Sequence, residues 1–186
     1  MHTMTIRTLG VIELNSIAKG YLVTDTMLKA GNVDLVKAHS ICPGKYLVLI
    51  SGDVGGVKAA MSAGLETGAG WVVDHLTIAN IHPGIIPAIT GTGQMEMGES
   101  LGVLEFFGVV SGIAAADQAA KAAQVELIEL RLGFAVGGKS FVTLTGDISA
   151  VTAAVEVGTD AAETAGLLVN QVIIPRPHQG VMDSLV

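Results

Sequence analysis

The 186-residue chain has one cysteine, Cys42, and little aromatic (4%) or charged (15%) character. One thiol cannot close an intrachain disulfide. No basic-then-apolar leader opens the chain, so the sequence predicts residence in a reducing compartment. Also missing is a run of about 20 uninterrupted apolar residues, which a membrane-spanning helix needs. The longest uncharged stretch, residues 75–95, is broken by Asn80, His82, Pro83, Gly84, Pro87, Gly91 and Gly93. Basic charge is scarce: residues 1–91 carry six Lys/Arg against six Asp/Glu, and residues 92–186 carry four against eleven. With no basic stripe in either half, nucleic-acid binding is excluded. The histidines form no metal-binding spacing, and no Ser/His/Asp constellation stands out. The glycines of Gly52-Asp53-Val54-Gly55-Gly56 lack the Lys-Ser/Thr ending of a phosphate loop and do not match the dinucleotide fingerprint.

Hydrophobic residues, by contrast, make up 50% of the chain. Without a membrane span to absorb them, that excess points to large protein–protein contacts.

An internal repeat organises the chain, as a search at fixed offset shows. LGVIEL at 9–14 returns as LGVLEF at 101–106, and over residues 9–35 the offset of 92 gives ten identities in 27. Beyond the next turn the offset becomes 94, with nine identities in 21 over residues 44–64, so the second copy is longer by two residues around Cys42. The repeat divides the chain near Gly91, into residues 1–91 and 92–186, within the glycine-rich stretch 91–98.

Each copy reads as β-α-β-β-α-β. In the first copy the strands fall at 8–14, 33–38, 45–50 and 71–78, and the helices at 21–30 and 54–65, with Asp53 as a cap. In the second copy the strands fall at 101–106, 125–132, 139–145 and 167–174, and the helices at 113–123 and 148–165. A short extra helix fits residues 83–90. The predicted class is α+β, two tandem ferredoxin-like domains. Gly20 and Gly112 read as turn or helix-start residues. Asp25/Asp117 and Glu13/Glu105 recur in both copies and read as groups that satisfy backbone and interface partners, not as a catalytic pair.

Three stretches carry a resemblance: the LGVIEL start with Asp25–Lys29, Gly52-Asp53-Val54-Gly55-Gly56-Val57-Lys58-Ala59-Ala60, and Ile174-Pro175-Arg176-Pro177-His178. Together they resemble the bacterial microcompartment shell domain. Two fused copies are similar to its tandem-domain, trimer-forming members, and Ser40-Ile41-Cys42-Pro43-Gly44-Lys45 resembles the propanediol-utilization branch of these. The resemblance implies a pseudohexameric homotrimer in a microcompartment shell within the cytoplasm, with no enzymatic activity. Its partners would be other shell proteins and encapsulated redox enzymes. The turn between the second and third strands of each copy would line a central pore, through Ser40, Ile41, Cys42, Pro43 and Gly44 in copy one and Val136 and Gly137 in copy two. Lys29, Lys121 and Arg176 would stand at tile edges. Copy one has Asn80-Ile81-His82-Pro83 in place of the arginine motif, so the edges would not be equivalent.

Taken alone, a single cysteine is a small core hydrophobe or an inert thiol. Three-fold symmetry would bring three thiols together, enough for three corners of a [4Fe–4S] cluster whose fourth iron takes another ligand. The resemblance places an iron–sulfur cluster there and matches Cys42 to its ligand. His39 reads as a surface histidine outside that site. The cluster could relay electrons, be stored or delivered, or plug the pore. Two readings stand beside it: an open pore for small metabolites with no cluster, and a soluble sensor module that binds ligands between subunits.

Overall fold

The computed structural model describes residues 8–93, 98–164 and 167–185. Part of the glycine-rich stretch at 91–98, and Ala165 at the end of the long helix read in copy two, lie outside the described residues. The chain forms two compact units, Met1–Ile81 and His82–Val186. The first contains β1 (Thr8–Leu14), α1 (Ile17–Ala30), β2 (Val33–Ile41), β3 (Lys45–Gly52), α2 (Val54–Gly68) and β4 (Val72–Ile78). The second contains α3 (Ile85–Thr90), β5 (Ser100–Phe106), α4 (Val109–Ala122), β6 (Glu126–Leu132), β7 (Ser140–Gly146), α5 (Ile148–Thr164), β8 (Leu168–Pro175) and α6 (Gln179–Met182). Each unit holds one sheet, ordered β2-β3-β1-β4 and β6-β7-β5-β8, with every neighbouring pair antiparallel. This is the ferredoxin-like arrangement expected from the repeat.

The first unit's core follows from alternation. Ile12 and Leu14 of β1 and Tyr46, Val48 and Ile50 of β3 point to one face. There they meet Val23 and Met27 of α1 and Val57, Ala60 and Met61 of α2 in a single buried cluster. Each large aliphatic side chain so buried contributes about 1.5–3 kcal/mol. α1 begins earlier than the sequence suggests, because Ser16 caps it: its Oγ accepts the Lys19 N–H at 3.2 Å. Asp53 caps α2 as expected, accepting the Gly56 N–H at 2.8 Å.

Gly20 and Gly112 stand at helix starts, as one of the two readings had it, and not in turns. Both lie inside helices, and each lets its helix approach the strand beneath. A Cβ on Gly20 would stand 2.3 Å from the Tyr46 ring, and one on Gly112 would stand 2.1 Å from Ser140 Oγ.

The two units part after Ile81, earlier in the chain than the division read at Gly91. The reason is α3, the extra helix expected at 83–90, which packs against β6 and α4 of the second unit.

Candidate functional site

The hairpin between β2 and β3 carries the residues singled out in copy one. Ile41, the last residue of β2, pairs with Lys45, the first of β3. Cys42, Pro43 and Gly44 form the turn between them. The Cys42–Pro43 peptide is cis, and Gly44 has φ +72°, a left-handed conformation that favours glycine. Ile41 is buried, the free thiol of Cys42 is half-buried, and Ser40, Pro43 and Gly44 are exposed. The apex of the hairpin therefore presents one sulfur, with Ile41 buried on one side of Cys42 and Pro43 exposed on the other.

Below the apex, the hairpin is fastened to the sheet. Lys45 Nζ lies 2.7 Å from Glu13 Oε1, with the Glu13 side chain only 5% exposed. Tyr46 is buried over Gly20 and meets the Tyr21 ring at 5.1 Å between centroids. Burial, with Tyr21 adding to it, raises the Tyr46 pKa above its ordinary value. Copy two repeats the fastening with Lys139 and Glu105 at 2.9 Å, with side chains 40% and 38% exposed. The role of these pairs was not read from the sequence. The available signal was the recurrence of both partners, glutamate and lysine, in both copies.

The counterpart hairpin, between β6 and β7, differs. Gly133, Ala135, Gly137 and Gly138 all have positive φ, and the turn closes through the Gly133 N–H to Lys139 O at 2.9 Å. Phe134 and Gly137 are exposed and Val136 is half-buried. This longer turn accounts for the two residues gained between the copies.

His39 is less exposed than a fully solvated surface histidine. It is half-buried on β2, and its Nδ1 is buried without a hydrogen-bond partner among the described residues. Desolvation by burial, with the nearby charge of Lys37 second, lowers its pKa. Among the described residues, no three His, Cys, Asp or Glu side chains gather as a metal site within one chain.

The residues expected at tile edges stand apart from the hairpin. Lys29 and Lys121 occupy the last turns of α1 and α4 and pair with Asp25 at 2.6 Å and Asp117 at 2.5 Å, one helical turn back. Arg176 follows β8 with φ 48°, and Asn80, at the matching place after β4, has φ 54°. The two departures from β-structure are thus alike although the residues differ. No helix among the described residues is long and apolar enough to cross a membrane.

Two ferredoxin-like units, each presenting a strand-two to strand-three hairpin, define a known class. The BMC domain family model matches residues 8–81 and 100–177, so the chain belongs to the BMC-domain family, in tandem form. This is the fold of the tandem, pseudohexameric shell proteins of bacterial microcompartments.

Within that class the chain is 40% identical over 178 residues to the bacterial microcompartment shell protein PduT of Citrobacter freundii, covering 96% of this chain and 97% of that one. A crystal structure of a microcompartments protein from Desulfitobacterium hafniense superposes with a TM-score of 0.92 at 44% identity, covering 96% of this chain and 99% of the other. The carboxysome assembly protein CcmO of Synechococcus elongatus is 30% identical over 193 aligned residues, covering 95% of this chain and 68% of that protein.

Proposed function

We propose that this chain is a structural tile of a microcompartment shell, assembled as a homotrimer whose three Cys42 hairpins meet at a central pore and hold one [4Fe–4S] cluster. The observation that carries this reading is the Cys42 hairpin: a free thiol at the apex of a turn, half-buried, with its base tied to the sheet by Lys45 and Glu13. A single chain offers only this thiol, so a cluster would draw on Cys42 from each of three chains. Thiolate is the usual iron–sulfur ligand, and the apex residues fit one. When bound, the cluster would supply one-electron exchange at the pore.

The chain's own residues have simpler tasks. Glu13 and Lys45 hold the hairpin's base in place. Ser40, Pro43 and Gly44 surround the thiol without bulk, and Val136 and Gly137 take the matching positions in copy two. Lys29, Lys121 and Arg176 serve the edges between tiles. We assign the chain no catalytic step. Its relatives support a place in the shell, within the cytoplasm, with other shell proteins and encapsulated redox enzymes as neighbours.

Anaerobic purification tests the cluster. The expected result is a brown protein, with four irons and four sulfides per three chains and an electron paramagnetic resonance signal on reduction. Cys42→Ser should lose iron and colour and remain trimeric. A wild-type trimer that stays colourless after reconstitution with iron and sulfide would overturn the cluster. It would favour the open pore for small metabolites instead.

A further inference from the structure

Counted from the paired strands, one turn position differs in kind between the two hairpins. In copy one Ser40 pairs with Tyr46 and Ile41 with Lys45, so Cys42 is the first residue past the ladder. In copy two Leu132 pairs with Ser140, and the Gly133 N–H donates to Lys139 O at 2.9 Å. The first residue past that point is Phe134. Where one copy presents a thiol, the other presents a phenyl ring.

Phe134 adds little to the core of its own unit. It is 65% exposed, while Phe106 in the same unit is fully buried. A phenyl ring left in water forgoes the stabilisation that burial would supply. The rest of its turn, Ala135, Val136, Gly137 and Gly138, carries no polar side chain.

Charge is absent from both turns. Residues 42–44 and 134–138 include no Asp, Glu, Lys or Arg. The lysine that follows each turn is already paired, Lys45 with Glu13 and Lys139 with Glu105. Copy two's turn can therefore act on a neighbouring thiol by excluding water, and not by supplying a cation.

We infer that Phe134 screens the Cys42 sulfurs from water and small oxidants. The inference rests on the trimeric shell reading, in which three Cys42 turns and three Phe134 turns share one axis, so that thiol and ring alternate around it. An apolar ring beside the sulfurs limits solvent access, which governs both the lability and the potential of a metal site. A reduced cluster carries one more negative charge than an oxidised one, and an apolar neighbour disfavours that charge, so the ring holds the potential down. Cys42 remains the ligand, and Phe134 controls what reaches it.

The test compares wild type with Phe134→Ser and Phe134→Leu, each checked for trimer mass by light scattering. In the iron-free trimer, Phe134→Ser should speed alkylation of Cys42 by iodoacetamide several-fold, since burial among apolar groups slows a thiol. In the reconstituted trimer, Phe134→Ser should bleach in air roughly tenfold faster. Its midpoint potential, titrated with dithionite, should rise. Phe134→Leu keeps an apolar side chain and should stay near wild type in all three readouts. An alkylation rate that Phe134→Ser leaves unmoved, a Phe134→Leu that behaves as Phe134→Ser does, or a Phe134→Ser that no longer trimerises would overturn the screen. A wild-type trimer that takes up no iron would instead overturn the cluster, and alkylation would still decide the screen.

Discussion

The paired fastenings under the two hairpins give a prediction with its own internal control. In copy one, Lys45 is the ionic partner of a glutamate whose side chain is 5% exposed. Lys45→Met removes the cation and leaves the Glu13 carboxylate in a dry setting. Breaking a buried pair in this way costs about 3 kcal/mol or somewhat more. In copy two the same chemistry is solvated, with Lys139 40% and Glu105 38% exposed, so Lys139→Met should cost less than about 1 kcal/mol. The assay separates the copies because the chain's one tryptophan, Trp71, lies in the first unit. Urea unfolding followed by Trp71 fluorescence reports that unit, and far-ultraviolet circular dichroism reports both. Both variants belong in a Cys42→Ser background at one protein concentration, since a bound cluster or subunit exchange would add its own linkage. The Lys45→Met fluorescence midpoint should fall by on the order of 2 M urea, and the Lys139→Met midpoint by well under half of that. Equal losses in the two variants, or a Lys45→Met loss below about 1 kcal/mol, would refute the argument from burial.

Gly20→Ala should destabilise the first unit by about 2–3 kcal/mol, because its methyl would meet the Tyr46 ring, and the loss should appear in the Trp71 fluorescence midpoint. Gly112→Ala should lower the thermal midpoint as well, because its methyl would stand 2.1 Å from Ser140 Oγ, 3.0 Å from Ser140 Cβ and 3.1 Å from the Phe106 ring, and turning the hydroxyl away would break its bond to Gly108 O. His82 carries a pH dependence: burial lowers its pKa despite the opposing charges of Asp117 and Glu126, and its Nδ1 accepts a hydrogen bond only while unprotonated. The unfolded chain then binds the proton more readily, so His82's contribution is present above the ordinary histidine pKa of 6.5 and is lost as pH falls below it. Circular-dichroism melts at pH 5.5 and 7.5 should show this loss, and His82→Gln should reduce it, leaving the part that half-buried His39 contributes.

The repeat made the fold legible. Positions set by alternation and capping, such as β1 with Ile12 and Leu14 or Asp53 before α2, were readable because their cause is local. Gly20 and Gly112 were not, because the reason for them is a strand residue, Tyr46 or Ser140, distant in sequence. β2 runs three residues past the strand expected at 33–38. Its half-exposed pattern at 39–41 lacks clean alternation, and pairing with β3 holds it through Ile41. The Cys42 turn was visible in Pro43 and Gly44, and its place at a hairpin apex followed from the strand order. What fastens it was hidden, since Glu13 and Lys45 are 32 residues apart and only the sheet brings them together. His39 reads as exposed in a polar stretch, while on β2 it is half-buried with its Nδ1 covered.

Cryo-electron microscopy of the purified, anaerobically handled protein tests the central claim most directly. The account predicts a three-chain ring with pseudo-six-fold outline in which the Cys42 hairpins surround the axis. Density showing those hairpins at the rim, or particles with no three-fold ring, would contradict it.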